Sequence, residues 1–196
     1  MDWSFLYGWD SYYFFQGFWL DIKLMVTEAN SIVIAACFVV FLAVFLFLER
    51  KQLRAKSILF CVTAAFYGTF LLTVTLLGRS TGIESSWDQL FSIYTKAFHG
   101  VAGAGWDIFY NIVFYLPVGL LISHYKRTEI DLIVLAAIPT IIEFCQLITT
   151  RGLFEISDII NNFIGGLIGL GIARLTSKLY HTIKENRKGG RVERAE

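Results

Sequence analysis

Residues 30–50, NSIVIAACFVVFLAVFLFLER, decide the fold. Between Asn30 and Glu49 the run has no charge and no helix breaker, and it is long enough to cross a hydrocarbon core of about 30 Å as a helix. Nothing in a chain of 196 residues could bury so greasy a segment on all sides except lipid. Three more runs of the same kind follow at about 57–78, 108–125 and 130–148. A fifth, at about 158–177, is interrupted by Asn161, Asn162 and several glycines but stays apolar enough to insert. The expected fold is all-α, a polytopic membrane helix bundle of about five transmembrane helices. The composition agrees, because 56% of residues are hydrophobic and only 17% are charged, against about 25% in an ordinary soluble domain.

The net charge of +1 conceals a segregation by sign and place. Arg50, Lys51, Arg54 and Lys56 follow the first span, and Lys126 and Arg127 follow the third. Arg174, Lys178, Lys184, Arg187, Lys188, Arg191 and Arg194 end or follow the fifth. The opposite loops hold Lys23, Arg79, Lys96 and Arg151, the remaining four of the 17 basic residues. By the positive-inside rule the N-terminus and the 79–107 and 149–158 connections lie outside, and the C-terminus is cytoplasmic. The expected location is the bacterial plasma membrane, crossed several times.

Three regions follow. Residues 1–29 form an aromatic interfacial segment, with Trp3, Tyr7, Trp9, Tyr12, Tyr13 and Trp19 among Asp2, Asp10 and Asp21, since these rings favour the headgroup layer. This end lacks the basic region and cleavage site of a signal peptide and is expected to be retained. Residues 30–178 form the transmembrane domain, and 179–196 a short basic cytoplasmic tail with too little apolar surface to order off the membrane. The connection at 79–107 is a candidate re-entrant or interfacial helix.

Several chemistries are disfavoured. Cys37, Cys61 and Cys145 lie inside apolar runs without CxxC spacing, which suggests neither a disulfide framework nor a thiolate metal site. His99, His124 and His181 are far apart, so no histidine-bound metal is expected. Nucleophile-elbow and Walker sequences are absent. No cofactor and no nucleic-acid partner are expected. An inverted repeat, the mark of many transporters, is also missing.

Polar side chains within or beside apolar helices carry most of the information, because a charge at mid-helix costs about 2.5–3.5 kcal/mol to insert. These are Arg79, Asn111, Glu143, Gln146, Arg151, Glu155, Asp158, Asn161 and Asn162. With the orientation above, all fall toward the outer leaflet. Glu143 and Gln146, three apart, share a helix face, and Asp158 and Asn162, four apart, share another. Asp158 stands where an N-cap of the fifth span belongs. Glu143, preceded by LIVLAAIPTII, must be protonated, paired with Arg79 or Arg151, or open to a watery cavity. Gly165 and Gly169 make a GxxxG pair suited to close helix packing, and Pro117 and Pro139 are expected to bend their helices.

The stretch IIEFCQLITTRGLFEISDIINNFIGGLIG at 141–169, with NIVFYLPVGLLI at 111–122, resembles the VanZ-like family of bacterial membrane proteins. Asn111, Pro117, Gly119, Glu143, Gln146, Arg151, Phe154, Asp158, Asn162 and Gly165 stand at the family's positions, and Arg79 in LLGRS fits its earlier arginine. The resemblance covers about 75–175. It implies association with low-level resistance to teicoplanin, a glycopeptide acting on wall precursors outside the membrane. No reaction is implied.

Three functions remain open. An outward pocket can bind a lipid headgroup or lipid-linked wall-precursor group, with Arg79 and Arg151 on its anionic part and Asn111, Gln146 and Asn162 orienting it. A membrane enzyme can use Glu143 or Asp158 as acid or base on a lipid-linked substrate. Alternatively, the polar residues only lock helices together.

Overall fold

The computed structural model describes residues 20, 22–51, 53–83, 90–101, 103–125 and 128–192. These residues are helical with connecting turns, and contain no strand. The helices are α1 at 22–28, α2 Ser31–Glu49, α3 Ala55–Leu72, α4 Ser92–Phe98, α5 Ala104–Ile122, α6 Thr128–Thr149 and α7 Ile156–Val192. Five are long and apolar enough to cross a membrane: Ser31–Glu49, Ala55–Leu77, Ala104–Tyr125, Glu129–Thr149 and Ile156–Glu185. The shortest has 19 residues, a rise of about 28 Å. The chain is an all-α membrane protein, and its spans fall within a few residues of the expected ones. The aromatic segment expected at 1–29 lies outside the described residues as far as position 19.

Folding divides the chain into two compact units, one from 1–105 with 140–157 and one from 106–139 with 158–196. In the first, α2 has no buried residue, so its apolar surface is matched to lipid. Asn30 caps it, its side chain accepting the N–H of Ile32 at 2.9 Å. α3 turns small residues inward, with Cys61, Ala64 and Ala65 buried. The Phe41 ring lies against Gly68, and Phe45 meets Phe60 edge-on at 6.3 Å.

The last turn of α3 widens into a π-helix, Thr73–Leu77. Gly78 N–H reaches back five residues to Thr73 O at 2.8 Å, and Arg79 N–H bonds Leu76 O at 3.4 Å. The Thr75 carbonyl, which an α-helical Arg79 N–H would have satisfied, is therefore released from the ladder. The hydroxyls of Thr69, Thr73 and Thr75 each donate to the carbonyl four residues earlier at 2.8 Å. Such back-bonding satisfies a hydroxyl inside an apolar helix.

In the second unit, glycines on α5 and α7 let backbones touch. A Cβ on Gly165 would lie 2.1 Å from Ile112 O, one on Gly169 2.0 Å from Leu116 O, and one on Gly119 2.0 Å from Gly166 O. The GxxxG pair thus packs as expected, whereas Gly171 faces open space. An ion pair that the sequence did not signal joins the start of α6 to α7: Arg174 donates to Asp131 at 2.8 Å. Asp131 is 2% exposed and Arg174 41%, so the carboxylate depends on that contact while the arginine keeps access to headgroups or water.

α7 differs from expectation in length. It runs unbroken to Val192, through most of the segment expected to have too little apolar surface to order off the membrane. Among its residues after Arg174 come Leu175, Lys178, Leu179, Tyr180 and Lys184, all exposed, a mixture that favours helix without needing a packed partner.

Gly169→Val is expected to destabilise the protein by about 1–3 kcal/mol through overpacking, while Gly171→Ala leaves stability unchanged or raised. Heating the detergent-solubilised variants and measuring the surviving monodisperse fraction by size exclusion checks the contrast.

Candidate functional site

The first unit gathers the polar residues around the π-helical end of α3. α6 ends at Thr149, and the turn that follows is shaped by two left-handed residues, Thr150 at φ 51° and Gly152 at φ 121°. Loop residues 82 and 83 bond to this turn: Gly82 N–H to Thr150 Oγ1 at 3.2 Å and Ile83 N–H to Thr150 O at 3.1 Å. A Cβ on Gly152 would sit 3.0 Å from Arg79 Nη1 and 3.4 Å from Gln146 Oε1. Glycine is therefore needed there both for its φ and for room.

Two side chains satisfy the carbonyls that α3 leaves open. Gln146, 1% exposed, donates through Nε2 to Thr75 O at 2.8 Å. Arg151 donates through Nη1 to Leu77 O at 3.0 Å and Arg79 O at 3.2 Å. Glu143, 2% exposed, accepts the backbone N–H of Glu155 through Oε2 at 3.1 Å. The Glu155 carboxylate accepts the Ser92 hydroxyl, and Ser157 N–H bonds Leu90 O at 3.3 Å. The turn after α6 is thus fastened to α3 on one side and to the α4 region on the other.

Beside these contacts lies an open cavity of about 660 Å³. Arg79, Arg151, Ser80 and Thr81 supply its polar wall, with Glu28 from the end of α1. Met25, Leu77, Gly78 and Ile83 complete it. Arg79 Nε is buried and has no hydrogen-bond partner among the described residues. Leaving such a donor unsatisfied costs about 1–3 kcal/mol, and the same side chain lines the cavity. Both arginines stand two residues beyond an apolar span, Arg79 after Leu77 and Arg151 after Thr149.

Within the second unit, Asn111 donates through Nδ2 to Asp158 Oδ1 at 2.7 Å. α7 starts at Ile156, so Asp158 lies in the first turn and not at the expected N-cap, where its charge still favours the positive end of the helix. Asn162, 4% exposed, keeps Oδ1 buried without a partner among the described residues. Asn161 is 2% exposed.

Of the sequence candidates in the first unit, Arg79, Gln146 and Arg151 thus meet at the end of α3, and Glu143 and Glu155 on the other side of the same turn; Asn111 and Asp158 form a pair in the second. Glu28, Ser80, Thr81 and Ser92 were missed. Ser80 and Thr81 follow Arg79 directly but are unremarkable in a connection, and only the fold brings Glu28 to the arginines' cavity and Ser92 to the Glu155 carboxylate.

Glu143→Gln keeps an acceptor for the Glu155 N–H and is expected to cost under about 1 kcal/mol, whereas Glu143→Leu orphans that donor and costs about 1–3 kcal/mol. Thermal survival of the purified variants distinguishes them. A larger loss for the glutamine variant would show that the carboxylate's charge holds the turn.

Comparison with known families gives a match to the family model described as VanZ/LLP1 over residues 64–177. That stretch contains Arg79, Asn111, Glu143, Gln146, Arg151, Glu155, Asp158, Asn161 and Asn162 but not Glu28. No curated protein matches the chain, and no solved structure does. The chain belongs to the VanZ/LLP1 family.

Proposed function

We propose that this VanZ/LLP1 membrane protein binds the phosphate-bearing headgroup of a membrane lipid or lipid-linked wall precursor at the Arg79 cavity, on the outer face of the bacterial plasma membrane. The observation that carries the proposal is the Arg79 guanidinium, whose Nε is buried and unpartnered among the described residues beside a 660 Å³ cavity. A guanidinium fork suits a phosphodiester, and Ser80 and Thr81 add hydroxyl donors on the same wall. Arg151 contributes charge while its Nη1 is engaged by backbone carbonyls. The orientation rests on the placement of basic residues, which puts the termini on opposite sides with the C-terminus cytoplasmic.

Binding is favoured over turnover because Glu143 is buried, engaged by the Glu155 N–H and absent from the cavity wall. Asp158 is engaged by Asn111. A purely structural role accounts for the Gln146 Nε2 and Glu143 contacts, but leaves the buried Arg79 donor without a purpose. Occupancy of wall precursors or their neighbouring lipid at the outer face would reduce glycopeptide access, giving low-level teicoplanin tolerance.

The test is teicoplanin and vancomycin susceptibility of a sensitive bacterium expressing wild type, Arg79→Ala or Arg79→Lys, with membrane abundance measured in parallel. Wild type is expected to raise teicoplanin tolerance and Arg79→Ala to abolish it at equal abundance. Lysine keeps the charge but not the fork, and restores part of the effect. Tolerance unchanged by wild type removes the resistance role from this member.

A further inference from the structure

The cavity wall carries opposite charges that do not neutralise each other. Glu28 lines the cavity with Arg79 and Arg151 and is exposed, and among the described residues it has no ion-pair partner. Its position is built, not incidental. A Cβ on Gly78 would lie 2.2 Å from Met25 O, so α1 rests directly on the turn that ends α3. That contact seals the Met25 side of the cavity, and Glu28, three residues further on the same helical face, projects over the same wall. Thr27, between them, bonds back to its own helix at Lys23 O and Leu24 O.

We infer that the ligand is zwitterionic, a phosphodiester carrying a primary ammonium, held with its phosphate on Arg79 and its ammonium on Glu28. This inference rests on the headgroup-binding reading above. A purely anionic group would meet repulsion from the Glu28 carboxylate, whereas a group with both charges separated by a few bonds finds both complements. A primary ammonium has three N–H donors for the carboxylate; a trimethylated one has none. The volume of about 660 Å³ is ordinary for a site that encloses a small ligand, roughly 300–1,000 Å³. The apolar lining from Met25, Leu77 and Ile83 suits the glycerol and first methylenes of an acyl chain, and commits the source to a membrane lipid.

The experiment titrates the full-length protein in detergent with dioleoyl phosphatidylethanolamine, phosphatidylglycerol and phosphatidylcholine, counting bound lipid by native mass spectrometry. Wild type is expected to prefer the ethanolamine lipid. Glu28→Gln weakens that lipid by about tenfold, the loss of one charge-assisted contact, and leaves phosphatidylglycerol unchanged or tighter. Arg79→Ala weakens all three. Equal binding of ethanolamine and glycerol lipids, unaffected by Glu28→Gln but still weakened by Arg79→Ala, overturns the ammonium assignment and leaves headgroup binding standing. No lipid bound above background, or binding indifferent to Arg79→Ala, overturns both. Glycerophosphoethanolamine binding as tightly as the intact lipid overturns the lipid source.

Discussion

Backbone carbonyls at the end of a membrane helix must find donors where water is scarce, and this constraint organises the first unit. The π-helical turn at Thr73–Leu77 releases the Thr75 carbonyl, and the chain end of α3 leaves those of Leu77 and Arg79 open. Gln146 and Arg151, five residues apart at the end of α6 and in its following turn, supply the donors. Because both come from one short stretch, satisfying the carbonyls also fixes the path of the turn through Thr150 and Gly152. The Glu143 contact to Glu155 N–H and the Ser92 contact to the Glu155 carboxylate then hold the far side. The functional consequence lies in what remains: with Arg151 Nη1 committed to backbone, Arg79 Nε is a buried donor, of a residue lining the cavity, for which this scaffold provides no acceptor among the described residues.

The second unit answers a different demand. Lipid offers helices no hydrophobic drive to associate, so packing and polar contacts must do it. Gly119, Gly165 and Gly169 allow backbone carbonyls within van der Waals reach, and the Asn111–Asp158 and Arg174–Asp131 contacts add directional bonds at the first turn and the middle of α7. The buried carboxylate of Asp131 gives its pair little tolerance for loss of the arginine, since an uncompensated buried charge is strongly destabilising.

The five spans were legible because an apolar run of membrane length admits one physical solution. The gathering of Arg79, Glu143, Gln146 and Arg151 was legible in part, from their common place near span ends and from the family pattern. Their bonding was not. Glu143 was expected to be protonated, paired with an arginine or open to water, and nothing in the sequence pointed to the Glu155 backbone N–H that it accepts; nor did the sequence show that Arg151, while lining the cavity, also donates through Nη1 to two backbone carbonyls. Neither follows from spacing, because the π-turn that frees those carbonyls has no sequence mark in TVTLL. Glu28 was invisible for another reason: α1 joins the cavity through the close approach of Met25 to Gly78, a contact between positions far apart in the chain. The helical reach of α7 to Val192 was not read from the sequence, because a charged segment with little apolar surface was expected to order only on the membrane, while the continuation of a long helix needs no core of its own.

The proposed headgroup site requires the Arg79 cavity to open to the outside of the cell. A single cysteine at Thr81, in a background with Cys37, Cys61 and Cys145 replaced by alanine, tests it with a membrane-impermeant maleimide applied to intact cells, using a Lys184→Cys variant as the cytoplasmic control. Labelling of the Thr81 variant in intact cells, with the control labelled only after lysis, is the predicted result. Protection of the Thr81 variant until lysis, with Lys184→Cys labelled from outside, would place the cavity in the cytoplasm and contradict the account.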